Sequence, residues 1–147
     1  MQIALLADRP DTLDALAAFM IRAWPDYYGP SGPGDAARDL NTRLNRTSLP
    51  VGLVAIVDEV PGGAAALTRE RDGTPWLSSL VVDETRRNQG LGSALTAAAE
   101  DQARHMGFKR LFCATKTASG ILLQRGWRRH GNLQTLSGFA PAYVLVL

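Results

Sequence analysis

The sequence contains a single cysteine, Cys113, among its 147 residues. One cysteine cannot form a disulfide bond within the chain, which excludes a disulfide-stapled secreted scaffold. Long apolar runs are also missing, since the opening run from Met1 to Ala7 is followed at once by Asp8 and Arg9. A run this short cannot span a membrane or form the apolar part of a signal peptide. We therefore expect a soluble, cytoplasmic protein that does not bind membranes.

Clustered charge of one sign is absent too. Sixteen lysines and arginines against fourteen acidic residues leave a formal net charge of +2, and the cations are scattered rather than arranged in a stripe with aromatic residues. This pattern does not favour nucleic-acid binding. The two histidines, His105 and His130, have no metal-ligating partner at a suitable spacing. We therefore expect no metal site.

What is present is the composition of an ordinary globular protein. The chain has 46% hydrophobic and 20% charged residues and no low-complexity segment, which argues against disorder. Its length suits one domain with a core of its own, and no repeat or linker divides it. We therefore expect a single domain spanning residues 1–147.

The hydrophobic pattern predicts an alternation of strands and helices. Apolar stripes at helical spacing predict helices over 13–24 and 35–46, a long helix that begins at Leu91, and a short helix over 117–125. Apolar runs predict strands over 2–7, 51–58, 63–71, 75–82 and 110–115, from Trp127 onward, and over 143–147. The order is β-α-α-β-β-β-α-β-α-β-β. It indicates an α/β protein with one mixed sheet and helices on its faces.

Proline and glycine mark the expected boundaries. Pro25 is expected to end the first helix, because a proline disfavours helical backbone at the residue before it. Residues 26–34 are then a loop that contains two tyrosines. The pair Asp72-Gly73 predicts a tight hairpin turn, and 59–62 predicts a longer turn. The three central strands therefore form an antiparallel meander.

The most informative segment joins the third strand of that meander to the long helix, and it reads Arg87-Asn88-Gln89-Gly90-Leu91-Gly92. A helix N-terminus leaves about four backbone N–H groups without intrahelical partners and carries about half a positive charge. Such a terminus can bind a phosphate group. Gly90 and Gly92 let the backbone approach the anion closely, and Arg87 adds a permanent cation. The segment therefore predicts a binding loop for a phosphorylated cofactor.

Residues 81–92 resemble the acyl-CoA-binding signature of the GNAT superfamily of N-acetyltransferases. That signature is a strand, a short turn, arginine or glutamine, two residues, glycine, one residue, and glycine or alanine at a helix start. The pair Gly126-Trp127 is similar to the family's Gly-Phe pair, and the element order extends the resemblance across nearly the whole chain. A Rossmann loop and a Walker A loop do not fit, because the G-x-G-x-x-G motif and the lysine and hydroxyl pair are missing.

The resemblance implies the GNAT fold, with acetyl-CoA as co-substrate. It implies that backbone amides of the loop bind the pyrophosphate of coenzyme A, and that the pantetheine arm lies along the third meander strand. It also implies a bulge that separates this strand from the strand over 110–115, with an amide near Leu80 or Val81 binding the thioester carbonyl. Thr115 stands where many members have asparagine, and its hydroxyl can bond the arm or the local backbone. The implied cofactor-binding residues are Leu80, Val81, Val82, Arg87, Asn88, Gln89, Gly90, Leu91, Gly92, Ser93 and Thr115.

The proton donor is where the sequence departs from the family. The usual general acid is a tyrosine four residues before the glycine of the Gly-Phe pair, and that position is Leu122 here. Tyr28, Tyr143 and Cys113 are the nominal replacements, although each also suits plain packing. A thiol with a pKa of about 8.5 also leaves readily as thiolate, so the loss of the acid is partial.

The general base has a weaker signal. Glu70 is the carboxylate that the sequence nominates, with a surface ion cluster formed with Arg69 and Arg71 as the alternative. An amine of pKa about 8 needs only about 1 kcal/mol to become neutral at pH 7. A weak base or a chain of waters therefore suffices for such an acceptor.

Acceptor recognition is expected from Asp26, Tyr27 and Tyr28 and from residues 127–143, although Asp26 can equally cap the turn after Pro25. The predicted activity is transfer of an acetyl group from acetyl-CoA to a primary amine of a small molecule, peptide or protein. The amine attacks directly in a ternary complex, and the protein is a monomer or a homodimer. The alternatives are a catalytically weak or inactive acyl-CoA-binding regulatory module and a dimerising scaffold.

Overall fold

The computed structural model describes residues 1–70, 72–135 and 138–147. Within these ranges seven strands form one mixed sheet in the order β1-β2-β3-β4-β5-β7-β6. Neighbouring strands are antiparallel except for β4 and β5, which run parallel. The predicted α/β class, mixed sheet and antiparallel meander are therefore confirmed. The strands are β1 (Gln2–Leu5), β2 (Val51–Val57), β3 (Val60–Arg69), β4 (Pro75–Val82), β5 (Arg110–Ala114), β6 (Arg128–Thr135) and β7 (Gly138–Val146).

Five α-helices accompany the sheet in the described residues. They are α1 (Leu13–Ala23), α2 (Pro25–Tyr28), α3 (Ala36–Asn41), α4 (Leu91–His105) and α5 (Ser119–Gln124). Single turns of 3₁₀-helix cover Leu6–Asp8, Pro10–Thr12 and Glu84–Arg86. Across the described ranges, none of these helices is both long enough and apolar enough to cross a membrane.

Two hydrophobic cores lie on opposite faces of the sheet. The first lies under α4 and α5, where Leu91 and Leu95 are buried against the alternate strand residues Leu77 and Cys113. The second lies under α1 and α3 and includes Leu16 and Met20. Each fully buried leucine contributes about 1.5–3 kcal/mol relative to exposure. The apolar stripe that predicted α4 therefore holds the helix on one face of the sheet, with its N-terminus at the end of β4.

The second predicted helix is shorter than its apolar stripe indicated. It was expected over 35–46 but α3 ends at Asn41. The Asn41 amide donates to the Ala37 carbonyl, and the Thr42 hydroxyl donates to the Asp39 carbonyl. Side chains that hydrogen-bond nearby backbone in this way compete with helix continuation. Leu44 consequently leaves the helix and pairs with Val51 in an isolated β-bridge.

Two turn predictions were wrong. Pro25 does end α1, but it also begins α2, because a proline fits the first position of a helix, where no N–H donor is needed. The turn expected over 59–62 is instead the two-residue turn Asp58-Glu59, in which both residues have positive φ. Pro61 lies inside β3 beside a register shift, and bulges tolerate a proline that cannot donate to the ladder.

The remaining differences concern element ends. The strand expected over 143–147 is the last part of the longer β7, and the strand expected over 63–71 begins earlier, at Val60. Arg71, placed by the sequence in an ion cluster with Glu70, lies outside the described residues, as do 136–137 within the acceptor segment.

Candidate active site

β4 carries the irregularity on which the site depends. Its register against β3 shifts between Ala64 and Ala66, which leaves one extra residue on β4. Ser79 adopts a positive φ of 54° at this point. For a residue other than glycine, this conformation costs about 1–2 kcal/mol. The bulge bends the second half of β4 away from the line of its first half.

The bend opens a gap between the two parallel strands. In the described residues β4 and β5 pair at two positions, Trp76 with Phe112 and Leu77 with Cys113. β4 then continues to Val82 without β5 beside it. The backbone groups along this stretch of β4 are therefore available to a ligand that enters the gap. The bulge and the separation of the strands agree with the arrangement that the resemblance implied.

The glycine loop delivers free amides at one end of this gap. Gly90 is the residue before the first turn of α4 and has a φ of 79°, which favours glycine. No side chain from the described part of the chain caps α4. The amides of Leu91, Gly92 and Ser93 consequently have no intrahelical acceptor. A helix N-terminus with free amides and an unopposed dipole is of the kind that can bind an anion.

Two adjacent arginines precede the loop and behave differently. Arg86 donates to Asp58 at 3.0 Å and is held at the surface. Arg87 is exposed, and its side chain forms no ion pair or hydrogen bond with any residue that the structure describes. The guanidinium of Arg87 is therefore not engaged by the described residues.

Gly92 has a packing role that the sequence did not indicate. A Cβ atom at this position would lie 2.8 Å from Cδ1 of Ile121 and 3.8 Å from Cγ2 of Val82. The missing side chain thus faces α5 and the end of β4. Gly92 lets α4 and α5 approach each other, whereas Gly90 supplies the backbone conformation of the loop.

Three of the nominal acid positions are poorly suited to donate a proton. Leu122 is fully buried in the first core and has no dissociable proton. Burial raises the pKa of the Cys113 thiol to about 12. Burial also raises the pKa of Tyr28, and its hydroxyl donates to Oδ2 of Asp39 at 2.6 Å, which raises the pKa further. None of these groups combines an open position with a readily released proton.

Tyr143 is placed differently. It lies on β7 beside Cys113, on the sheet face that α4 and α5 cover, and its hydroxyl is 2.9 Å from Oγ of Ser119. Ser119 is the first residue of α5 and is half-buried. It precedes Leu122 by three residues, so the two side chains share a helix face. The spacing from Leu122 was the available sequence signal for Ser119, which sequence reasoning missed.

Of two further residues named from the sequence, Thr115 lies beside the start of α5 and Glu70 lies at the β3–β4 turn. Oγ1 of Thr115 accepts from the amide of Ala118 at 3.0 Å and so orders the start of α5. Glu70 is exposed at the end of the β3–β4 hairpin, where its amide donates to Thr74. Thr74 precedes the bulge residue Ser79 by five positions, or roughly 16 Å of strand. The structure does not bring Glu70 to the gap.

The acceptor residues named from the sequence lie on α2. Tyr27 and Tyr28 contact edge to face with ring centroids 4.7 Å apart, and Tyr28 packs against the second core. Asp26 is exposed in the first turn of α2. His105 is exposed at the end of α4, and no group of side chains suited to a metal ion occurs among the described residues.

A further residue near the bulge was not found from the sequence. Arg43 follows α3, and its Nη2 donates to Oγ of Ser79 at 3.2 Å. The two residues are 36 positions apart, so the contact depends on how α3 packs on the sheet. It places a guanidinium beside the bulge, on the face that α1 and α3 cover.

Comparisons with known proteins agree with this geometry. The sequence matches the model of the acetyltransferase (GNAT) family over residues 14–131, and no curated protein matches it significantly. An aminoglycoside 6'-N-acetyltransferase complexed with coenzyme A has a TM-score of 0.81 at 15% identity, covering 99% of this chain and 97% of that one. The corresponding enzyme from Enterococcus faecium has a TM-score of 0.79 at 18% identity, covering 99% and 97%.

A ribosomal-protein-alanine N-acetyltransferase from Brucella melitensis has a TM-score of 0.78 at 18% identity and covers 100% of both chains. At such identities the solved structures show a shared fold. The family model adds a match of the sequence itself, and it covers most of the chain together with the glycine loop. The chain therefore belongs to the acetyltransferase (GNAT) family.

Proposed function

We propose that this protein transfers an acetyl group from acetyl-CoA to a primary amine, by direct attack of the amine in a ternary complex. The observation that carries the proposal is the meeting of two features: the uncapped N-terminus of α4 and the unpaired edge of β4 beyond its bulge. A ligand with a phosphate group at one end and an extended, amide-containing arm fits both. One of the structural relatives is complexed with coenzyme A, a ligand of this kind.

The loop and the edge of β4 would bind different parts of acetyl-CoA. The amides of 91–93 would bind the pyrophosphate, with Arg87, which has no ion pair among the described residues, as the nearby cation. The edge of β4 from Leu80 to Val82 would pair with the pantetheine arm as an added strand pairs with a sheet edge. The remaining loop residues, Asn88 and Gln89, and the hydroxyl of Thr115 would border the same path.

Acetyl-CoA supplies an activated acetyl group and a thiol leaving group. A backbone amide after the bulge, at Leu80 or Val81, would donate to the carbonyl oxygen as negative charge develops there. The hydroxyl of Ser119 would donate to the leaving sulfur, with the hydroxyl of Tyr143 bonded behind it. The acceptor would lose its proton to water, because Glu70 lies far along the hairpin. Deprotonation at pH 7 costs about 1 kcal/mol for an α-amino group of pKa about 8 and about 4–5 kcal/mol for an alkylamine of pKa about 10.

A regulatory module that binds acyl-CoA without turnover is the second candidate, and the leucine at position 122 favours it. Calorimetry with coenzyme A, followed by thiol release from acetyl-CoA across a panel of primary amines, separates the candidates. Binding together with amine-dependent thiol release supports the acetyltransferase. Binding without release for any amine supports the regulatory module, and absence of binding contradicts both.

A further inference from the structure

Three rings form a continuous surface across β4, β5 and β6. Trp76 and Phe112 are stacked, with ring centroids 5.4 Å apart and an interplanar angle of 27°. His130 continues the row, 5.6 Å from the Phe112 ring. We refer to Trp76, Phe112 and His130 as the aromatic platform.

The strand register decides which face of the sheet carries the platform. Leu77 and Cys113, which alternate with the platform residues, point into the first core under α4 and α5. Because side chains alternate along a strand, Trp76 and Phe112 point to the opposite face. The platform therefore lies on the face that α1 and α3 cover further along, away from the free amides of α4.

The platform is not part of either core. Trp76 and Phe112 are half-buried, His130 is exposed, and the two cores in the described residues contain none of the three. Nε1 of Trp76 donates to Oγ1 of Thr74 at 2.9 Å, which fixes the orientation of the indole. A held, partly exposed aromatic surface is pre-organised for a ligand, since little rotamer freedom is lost on binding.

The position of the platform relates it to the proposed transfer site. Trp76 and Phe112 form the pair immediately before the last β4–β5 pair, after which the strands separate. Ser79 lies three residues further along β4, roughly 10 Å of strand. An acceptor that rests on the platform can thus reach the gap with an amine on a short alkyl chain.

We propose that the acceptor is an arylalkyl primary amine, a compound with an aromatic ring and an amine on a short alkyl chain. Its ring would stack on Trp76 while its amine enters the gap near Ser79. This inference rests on the proposed acetyltransferase function and adds the class of acceptor. Aromatic pairs gain about 2- to 13-fold in equilibrium constant beyond simple area burial. Arg43, beside Ser79, disfavours a second positive charge on the acceptor, since like charges repel.

The test compares amines of matched size in the acetyl-CoA thiol-release assay. Phenethylamine and 2-cyclohexylethylamine place a six-membered ring at the same distance from the amine, and butylamine lacks a ring. We expect kcat/KM for phenethylamine to exceed that for 2-cyclohexylethylamine by about 10-fold. Trp76→Leu should abolish this preference and lower kcat/KM for phenethylamine by about 10-fold, a larger loss than for butylamine.

Two controls keep the test specific. Phe139→Ala removes a ring that is 72% exposed and lies on the opposite face of β7, and it should preserve the preference. Calorimetry with coenzyme A should give the same affinity for Trp76→Leu as for wild type, which shows that the variant is folded. Turnover of all three amines without a preference for phenethylamine overturns the acceptor class alone. An equal loss of kcat/KM for every amine in Trp76→Leu does the same. Absence of turnover for every amine overturns the proposed function and this inference with it.

Discussion

The hydroxyl of Tyr143 lies 2.9 Å from Oγ of Ser119, and this pair joins β7 to the first turn of α5. Ser119 occupies the same face of α5 as Leu122, one turn nearer the N-terminus of the helix. A helix that has lost the family's tyrosine therefore still presents a hydroxyl on that face, supported from behind by a tyrosine of the sheet.

Removing either hydroxyl is expected to slow the chemical step. General acid catalysis contributes about 10²- to 10⁴-fold, but a thiol also departs unaided, so we expect Tyr143→Phe and Ser119→Ala to lower kcat by about 10- to 100-fold. Coenzyme A affinity should not change. Tyr28→Phe is the matched control, because its hydroxyl is bonded to Asp39 on the other face. Equal kcat values for wild type and both variants would remove the pair from the mechanism.

The two adjacent arginines provide a matched test of the phosphate site. Arg87→Ala removes a cation that has no ion pair among the described residues. A charge-assisted hydrogen bond contributes about 1.5–3 kcal/mol, so coenzyme A affinity should fall at least about 10-fold. Arg86→Ala removes a side chain that is paired with Asp58 and should change affinity less than about threefold. Calorimetry at low and high salt measures both. A larger loss in Arg86→Ala than in Arg87→Ala would contradict the assignment of the loop.

Substitution at Gly92 should act through α5. Gly92→Val places methyl groups where Cδ1 of Ile121 lies, and overpacking of this kind typically costs about 1–3 kcal/mol. We expect weaker coenzyme A binding because α5 is displaced. Adding Ile121→Ala should restore part of the affinity and of the free energy of unfolding. If the double variant binds coenzyme A no better than Gly92→Val, the valine side chain blocks the anion directly rather than by displacing α5.

Removing either partner of the ion pair between Glu100 of α4 and Arg125, the residue after α5, should have unequal effects on stability. Glu100 is 2% exposed and accepts from Arg125 at 2.7 and 3.0 Å and from Nε1 of Trp127 at 3.1 Å. Arg125→Ala leaves a buried carboxylate unpaired and should cost about 3 kcal/mol of unfolding free energy, more than Glu100→Gln.

The control for this prediction lies on the same helix. Arg104 pairs with Asp101 at the surface, and Arg104→Ala should cost less than about 1 kcal/mol. Urea unfolding measures the free energy of unfolding of all three variants. A cost of Arg125→Ala no larger than that of Glu100→Gln would show that the carboxylate of Glu100 is not left unpaired.

Local features of the site could be predicted from the sequence because their signals lie within a few residues. The free amides of the loop follow from Gly90 and the start of an apolar stripe. Contacts across the sheet could not be predicted in this way. The pairs Arg43 and Ser79, Tyr143 and Ser119, and Arg125 and Glu100 join residues 36, 24 and 25 positions apart. They depend on strand register and helix packing, which no short motif encodes.

The turn at Asp58-Glu59 shows a second reason why the structure differs from the sequence-based predictions. The glycines and the proline after it look like the turn itself, yet they lie in β3, where the bulge absorbs Pro61. Local propensity pointed to the wrong residues because pairing with β2 outweighs it. Strand register likewise places Glu70 away from the gap.

The central claim is that an acetyl group passes directly from acetyl-CoA, held at the start of α4, to an amine. The most direct test uses acetyl-CoA with an isotopically labelled acetyl group and measures labelled amine by mass spectrometry beside the free thiol released. The account predicts equal amounts of acetylated amine and thiol, a lower yield with Arg87→Ala, and no labelled protein when the amine is omitted. Thiol release without acetylated amine, or a stable acetylated protein, would contradict it.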